Sequence, residues 1–180
     1  MLAVCTYMTK VALDARIIDP EAEEYDGGKV ALCAEKIIEI NKANPGTAQA
    51  VFCDTNTPKK DTFSVYQALR DRLVRSGEFT ENEIAFVHDA ANDKQRLAMF
   101  EKVNNAEIKI IIGSTGKLGT GVNIQRKLSA LHHLDAPYRP SDVEHAKRHK
   151  GQPIIRQMAL FFLHTVSYTH LRAHETGAYL

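Results

Sequence analysis

The tightest constraint in this sequence is the run Ile110-Ile111-Ile112, which closes the stretch Ile108 to Ile112 and is followed at once by Gly113. Consecutive β-branched residues favour extended backbone. Neighbours on a strand face opposite sides, so an unbroken apolar run must be covered on both faces. A central strand with helices above and below it meets that demand. Three other short apolar runs fit beside it as strands: Ala48 to Cys53, Ile84 to Val87 and Ala130 to Leu134.

The segments between these runs have helical spacing. Lys29 to Asn41 carries Val30, Cys33, Ile37 and Ile40, and Pro45-Gly46 then breaks the chain. Phe63 to Arg75 sets Val65, Leu69 and Leu73 against Arg70, Asp71 and Arg72. Asp93 to Val103 is expected to turn Leu97, Phe100 and Val103 inward. Strands alternating with helices predict an α/β fold, a parallel sheet with helices on both faces. Ligands of such folds bind beyond the C-terminal strand ends. Asp54, His88, Ser114, Thr115 and Asp135 fall there. Topology alone would gather them there for many functions, so their grouping does not select one.

With 180 residues the chain can bury one real core. A formal net charge of +1 does not announce a polyanionic partner, but charge is uneven along the chain. Between Arg139 and Arg156, five basic residues (Arg139, Lys147, Arg148, Lys150, Arg156) face two acids, Asp142 and Glu144. That excess suits a basic binding surface or a solvated helix face. Ser141 and Glu144 form a capping box that opens this helix. Residues 1–28 are acidic and read as a partly helical lead-in that ends at Gly27-Gly28. The three cysteines have no CxxC spacing, and Cys33 and Cys53 lie in apolar segments, as buried thiols of a reducing compartment do. No run has the length of a membrane span and no signal pattern opens the chain, so a cytoplasmic location without a membrane partner is expected.

The glycine-rich stretch 113–125 carries the most chemistry. Gly113, Gly116 and Lys117 imitate a P-loop, but Leu118 stands where a magnesium-binding hydroxyl is needed and the first glycine is two positions too close. The pattern Gly119-x-Gly121-x-Asn123-x-Gln125 after a buried strand is more telling. Its glycines let a ligand approach the main chain, and Asn123 can donate to and accept from a ribose, a base or the backbone. A plain glycine turn between strands accounts for the same residues. The histidines invite a metal reading that spacing discourages. His132 and His133 are adjacent on a strand and point to opposite faces. His170 and His174 lack the His-Glu-x-x-His order.

Taken in order, the blocks 51–58 (VFCDTNTP), 84–90 (IAFVHDA), 111–125 (IIGSTGKLGTGVNIQ) and 131–144 (LHHLDAPYRPSDVE) resemble the C-terminal RecA-like lobe of a superfamily 2 helicase. The likeness covers roughly residues 10 to 157 and is nearest to chromatin-remodelling-type translocases. Within that branch it is similar to the helicase portion of bacterial mobile-element and phage proteins that join a DNA methylase to a helicase. The resemblance implies one RecA-like lobe over 29–157 that works on DNA with a first lobe, possessed by the parent protein and accompanied there by a methylase domain. That first lobe would carry most of the contacts to ATP with Mg2+. Gly119, Gly121, Asn123 and Arg148 are then the residues for ATP. Ser114, Thr115, Lys117, Asp54 and His88 are those for nucleic acid. Arg156 is the arginine finger that stabilises charge on the transferring phosphate. Asp135, Pro137 and Pro140 match the connector before the arginine helix.

The arginine helix departs from the family pattern. Where the family has Glu-Gln-Arg-x-Gly-Arg, this chain reads Glu144-His145-Ala146-Lys147-Arg148-His149, and Pro153 would break the helix. As written, this helix is not expected to support normal hydrolysis. A one-base slip at the His145 codon restores Gln-Arg-x-Gly, which motivates a frame error as the explanation. Residues 158–180 leave the family pattern, and 166–177 (VSYTHLRAHETG) resemble translated adapter sequence. The chain is therefore expected to be a fragment. A stand-alone nucleotide- or phosphate-binding domain, and a decayed lobe kept as an interaction domain, are the alternatives.

Overall fold

The computed structural model describes residues 2–59, 62–118, 124 and 126–135. Helix α1 (Leu2–Leu13) and a short 3-10 turn (Ala15–Ile17) precede α2 (Lys29–Ala43). Strand β1 (Ala48–Phe52) leads to α3 (Val65–Arg75), β2 (Ile84–Phe86) to α4 (Asp93–Asn104), and β3 (Ile110–Gly113) to the one-turn helix α5 (Thr115–Leu118) before β4 (Leu128–His133). The strands form one parallel sheet in the order β2-β3-β1-β4. Parallel pairing requires crossover connections, and α3 and α4 provide them.

The isoleucine run behaves as its chemistry demands. Ile110 and Ile112 enter the core beneath α2 and α3, with Val51, Ile37 and Leu69. Ile111 faces the other way and packs with Phe100 and Val103 of α4. The sheet is thus buried on both faces.

One inward expectation fails. Leu97 is 63% exposed. The buried side of α4 runs through Met99, Phe100 and Val103, and at 100° per residue Leu97 lies roughly 110° from the middle of that arc. Helical spacing fixes which residues share a stripe, but the angle at which the helix meets the sheet decides how far the stripe reaches.

Helix α3 begins two residues later than the periodicity suggests. Asn56 caps it from the preceding loop, since its Oδ1 accepts the Val65 N–H (2.8 Å) and its Nδ2 donates to the Phe63 carbonyl (3.3 Å). The acidic lead-in is pinned to the same helix. Glu24 pairs with Arg72 and Arg75 (2.9 Å each), Asp26 with Arg72 (2.8 Å), and Arg16 lies over the Phe63 ring. The guanidinium groups hold the Glu24 carboxyl below its ordinary range, the hydrogen bond from Arg75 contributing most. No described helix is long and apolar enough to cross a membrane.

Candidate nucleic-acid interface

The site grows out of where the chain exits its strands. After β1 the chain passes to α3 on one face of the sheet, while after β3 it enters α5, whose Leu118 packs into the core on the opposite face. Strands β1 and β3 are neighbours. Adjacent strands with exits to opposite faces leave a crevice at their C-terminal ends, where ligands of such sheets bind.

Two aspartates organise the crevice. Asp54, just past β1, accepts the Thr115 N–H on Oδ1 (2.7 Å) and the Thr115 hydroxyl proton on Oδ2 (2.6 Å). Asp135, just past β4, accepts the backbone N–H of Asp54 (2.8 Å) and of Thr55 on its Oδ2. The Ser114 carbonyl accepts from Lys117 and Leu118, which closes the single turn of α5. Thr115 and Ser114 are half-buried, and Lys117 is exposed.

His88 stands at the end of β2, edge-on to the Tyr66 ring at 5.5 Å between centroids. Burial, seconded by the Lys117 charge, lowers its pKa, so the imidazole is neutral at pH 7. Its buried Nδ1 has no hydrogen-bond partner among the described residues. Tyr66 donates its hydroxyl to the Cys53 carbonyl (2.6 Å), and burial raises its pKa well above the ordinary value. Burial also pushes the Cys33 and Cys53 thiols up to about 12, so neither is a thiolate nucleophile at neutral pH.

Of the residues singled out from sequence, the structure therefore brings Asp54, Thr115 and Asp135 into direct contact, with Ser114 and Lys117 on the same turn. His88 lies at the neighbouring strand end, close enough to feel the Lys117 charge. Gly119, Gly121, Asn123, Arg148 and Arg156 lie outside the described residues, as do Pro137, Pro140, the Ser141–Glu144 capping box and the tail. The adjacent histidines separate as strand geometry requires. His132 bonds to Gln49 on the α2 side (2.8 Å), and His133 stacks on Phe52 on the other. Sequence reasoning placed Asp135 at a strand end but missed that it grips the backbone after β1. The only local signal was an acid closing an apolar run.

A Walker-type triphosphate cradle does not fit residues 113–118. Leu118 is buried against Gly113, where an added Cβ would meet the leucine Cγ at 2.8 Å, so the turn is closed by packing. Its main chain is committed to α5 and to Asp54.

Residues 29–148 match the family described as helicase conserved C-terminal domain, and the match takes in the four strands found among the described residues and the crevice. The chain belongs to that family. It is the C-terminal lobe of a superfamily 2 helicase, and the parallel sheet of its described residues, with helices on both faces, is a RecA-like core. The match begins at Lys29, where α2 begins, so the pinned lead-in lies outside the matched residues of this helicase lobe. A search among curated proteins finds no match.

Proposed function

We propose that this helicase lobe grips a DNA strand through its phosphates at the β1–β3 crevice and serves as the second half of an ATP-driven translocase. The supporting observation is the joining of Asp54 to Thr115 at the switch point, beside Ser114 and exposed Lys117, in a chain of this family. The Ser114 hydroxyl and the Lys117 ammonium, carried on the turn that Asp54 anchors through Thr115, suit phosphate oxygens and carry little base information. Asp54 contributes by holding Thr115, because a carboxylate repels a phosphate, and neutral His88 offers a ring for hydrogen bonding or stacking.

The ATP site is shared in this reading. A first lobe would hold ATP with Mg2+, and Gly119, Gly121, Asn123 and Arg148 of this chain would close on it, with Arg156 as the finger. ATP would supply the energy of translocation, while this lobe's own part is strand contact and positive charge. The parent would be a mobile-element or phage methylase–helicase, and this chain a fragment of it that is inactive alone. Residues 1–28 would then be a lead-in and 158–180 an off-pattern tail.

The test measures binding of a labelled single-stranded DNA oligonucleotide to the purified chain across a salt series, with ATP turnover followed in parallel. Expected are binding that weakens with salt, tolerance of base sequence, and no turnover. Lys117→Ala should lower the salt slope by about one. Turnover by the purified chain, or a failure to bind DNA at low salt, refutes the proposal.

A further inference from the structure

Two carboxylates act in series across three strand ends. Asp135 is buried, and its Oδ2 takes the N–H groups of Asp54 and Thr55. Those bonds fix the backbone from which the Asp54 side chain departs. Asp54 then engages Thr115 with both oxygens, one on the amide and one on the hydroxyl. A threonine held at both groups is fixed in place and in rotamer. Its amide and hydroxyl protons are both directed at Asp54, so Thr115 offers no donor to a phosphate and instead anchors the turn that presents the Ser114 hydroxyl and the exposed Lys117 ammonium, the groups left to donate.

The arrangement is costly for a surface that meets a polyanion. Asp54 is exposed, and a negative charge beside the strand path opposes phosphate binding. A carboxylate that helps binding in such a place must do so through the geometry it imposes.

We propose that Asp135 and Asp54 form a positioning relay, in which the chain leaving β4 sets the placement of Thr115 at the end of β3. Its functional consequence rests on the reading of this loop as the strand contact. In sequence, Asp135 stands immediately before the connector that leads to Arg148 and Arg156.

The test has two arms on the full chain. In the first, NMR-detected amide exchange is measured at Thr115, with Ile37 and Ile111 as reporters of the intact core. Asp54→Ala, and separately Asp135→Asn, should each speed Thr115 exchange about tenfold, as loss of a charge-assisted bond implies, while the core reporters hold. Asp135→Glu, which keeps the charge but displaces the accepting oxygen, should give a smaller increase of the same sign if Asp135→Asn fails to fold. Unchanged Thr115 exchange in a folded Asp135→Asn chain, or in Asp135→Glu where that is the folded variant, overturns the relay.

The second arm reads single-stranded DNA affinity. A bystander acid improves binding when its charge is removed, as Asp89→Asn should do slightly. Asp54→Ala should instead weaken binding about three- to tenfold, and this weakening should vanish in a Thr115→Ala background. Tighter binding by Asp54→Ala overturns the positioning role. If the unmodified chain binds no DNA but Thr115 exchange responds to both aspartates, the relay stands and the strand-contact reading falls.

Discussion

Acid should unfold this lobe through His132. The Gln49 amide donates through Nε2 to the Ile37 carbonyl at 2.9 Å, which leaves its Oε1 to accept from His132 Nε2 at 2.8 Å. The imidazole is thereby set as the Nε2–H tautomer inside the core, and a second proton would place an unpaired charge there. Burial, together with repulsion from the neighbouring His133 and Lys36 charges, lowers the His132 pKa from 6.5 to about 3. The unfolded chain takes up a proton near pH 6.5, whereas the folded one does so only near pH 3. Stability from this group is therefore complete above pH 6.5 and is lost as pH falls toward 3. At pH 5.0 the loss is about 2 kcal/mol by proton linkage. Urea denaturation at pH 7.5 and 5.0, on the chain and on His132→Gln, isolates it. Glutamine can still donate to Gln49 but does not titrate. The variant starts less stable, yet its loss between the two pH values should be smaller by about 2 kcal/mol. His133 and His88 shift in the same direction and remain in both proteins, so they cancel in the difference. Equal pH losses in the two proteins would refute a neutral, buried His132.

Gly113→Ala should destabilise by about 1–3 kcal/mol and displace α5, because the new Cβ would meet Leu118 at 2.8 Å and Val87 at 3.2 Å; a thermal melt reads the first effect and Thr115 amide shifts the second. Phe100→Ala should cost about 3–5 kcal/mol while Leu97→Ser stays within about 0.5, and equal costs in urea would mean that α4 is turned differently on the sheet. Glu24→Gln should loosen the lead-in, seen as faster proteolysis before Lys29, with a stability loss of about 1 kcal/mol or less that shrinks in high salt. Because the folded-state Glu24 pKa is depressed below 4.5, its contribution is present above that pH and fades as pH falls through the folded value.

Much of the architecture was legible because it rests on local pattern. An isoleucine triplet cannot be half-exposed without a large apolar penalty, so Ile110, Ile111 and Ile112 imply two covered faces before any contact is known. The exclusion of a P-loop was equally local, since Leu118 offers no hydroxyl, and the structure adds that it closes the turn by packing. The alternation of strands and helices required parallel pairing, and the strand-end placement of Asp54, His88, Thr115 and Asp135 followed from it. The exposure of Leu97 was not legible in the same way. A helical stripe carries no record of the angle at which the helix will dock.

The sequence by itself thus determined which segments are strands and helices, which side chains must be buried, and which polar residues gather at one edge of the sheet. Tertiary structure alone decided the order β2-β3-β1-β4, and with it everything that depends on neighbours distant in the chain. Asp54 meets Thr115 across 61 positions, and Gln49 meets His132 across 83. Apolar periodicity is written in adjacent residues because burial is a property of one face of one element. A polar pair depends on which strands lie side by side and where their exits turn, and that is settled by packing of the whole core.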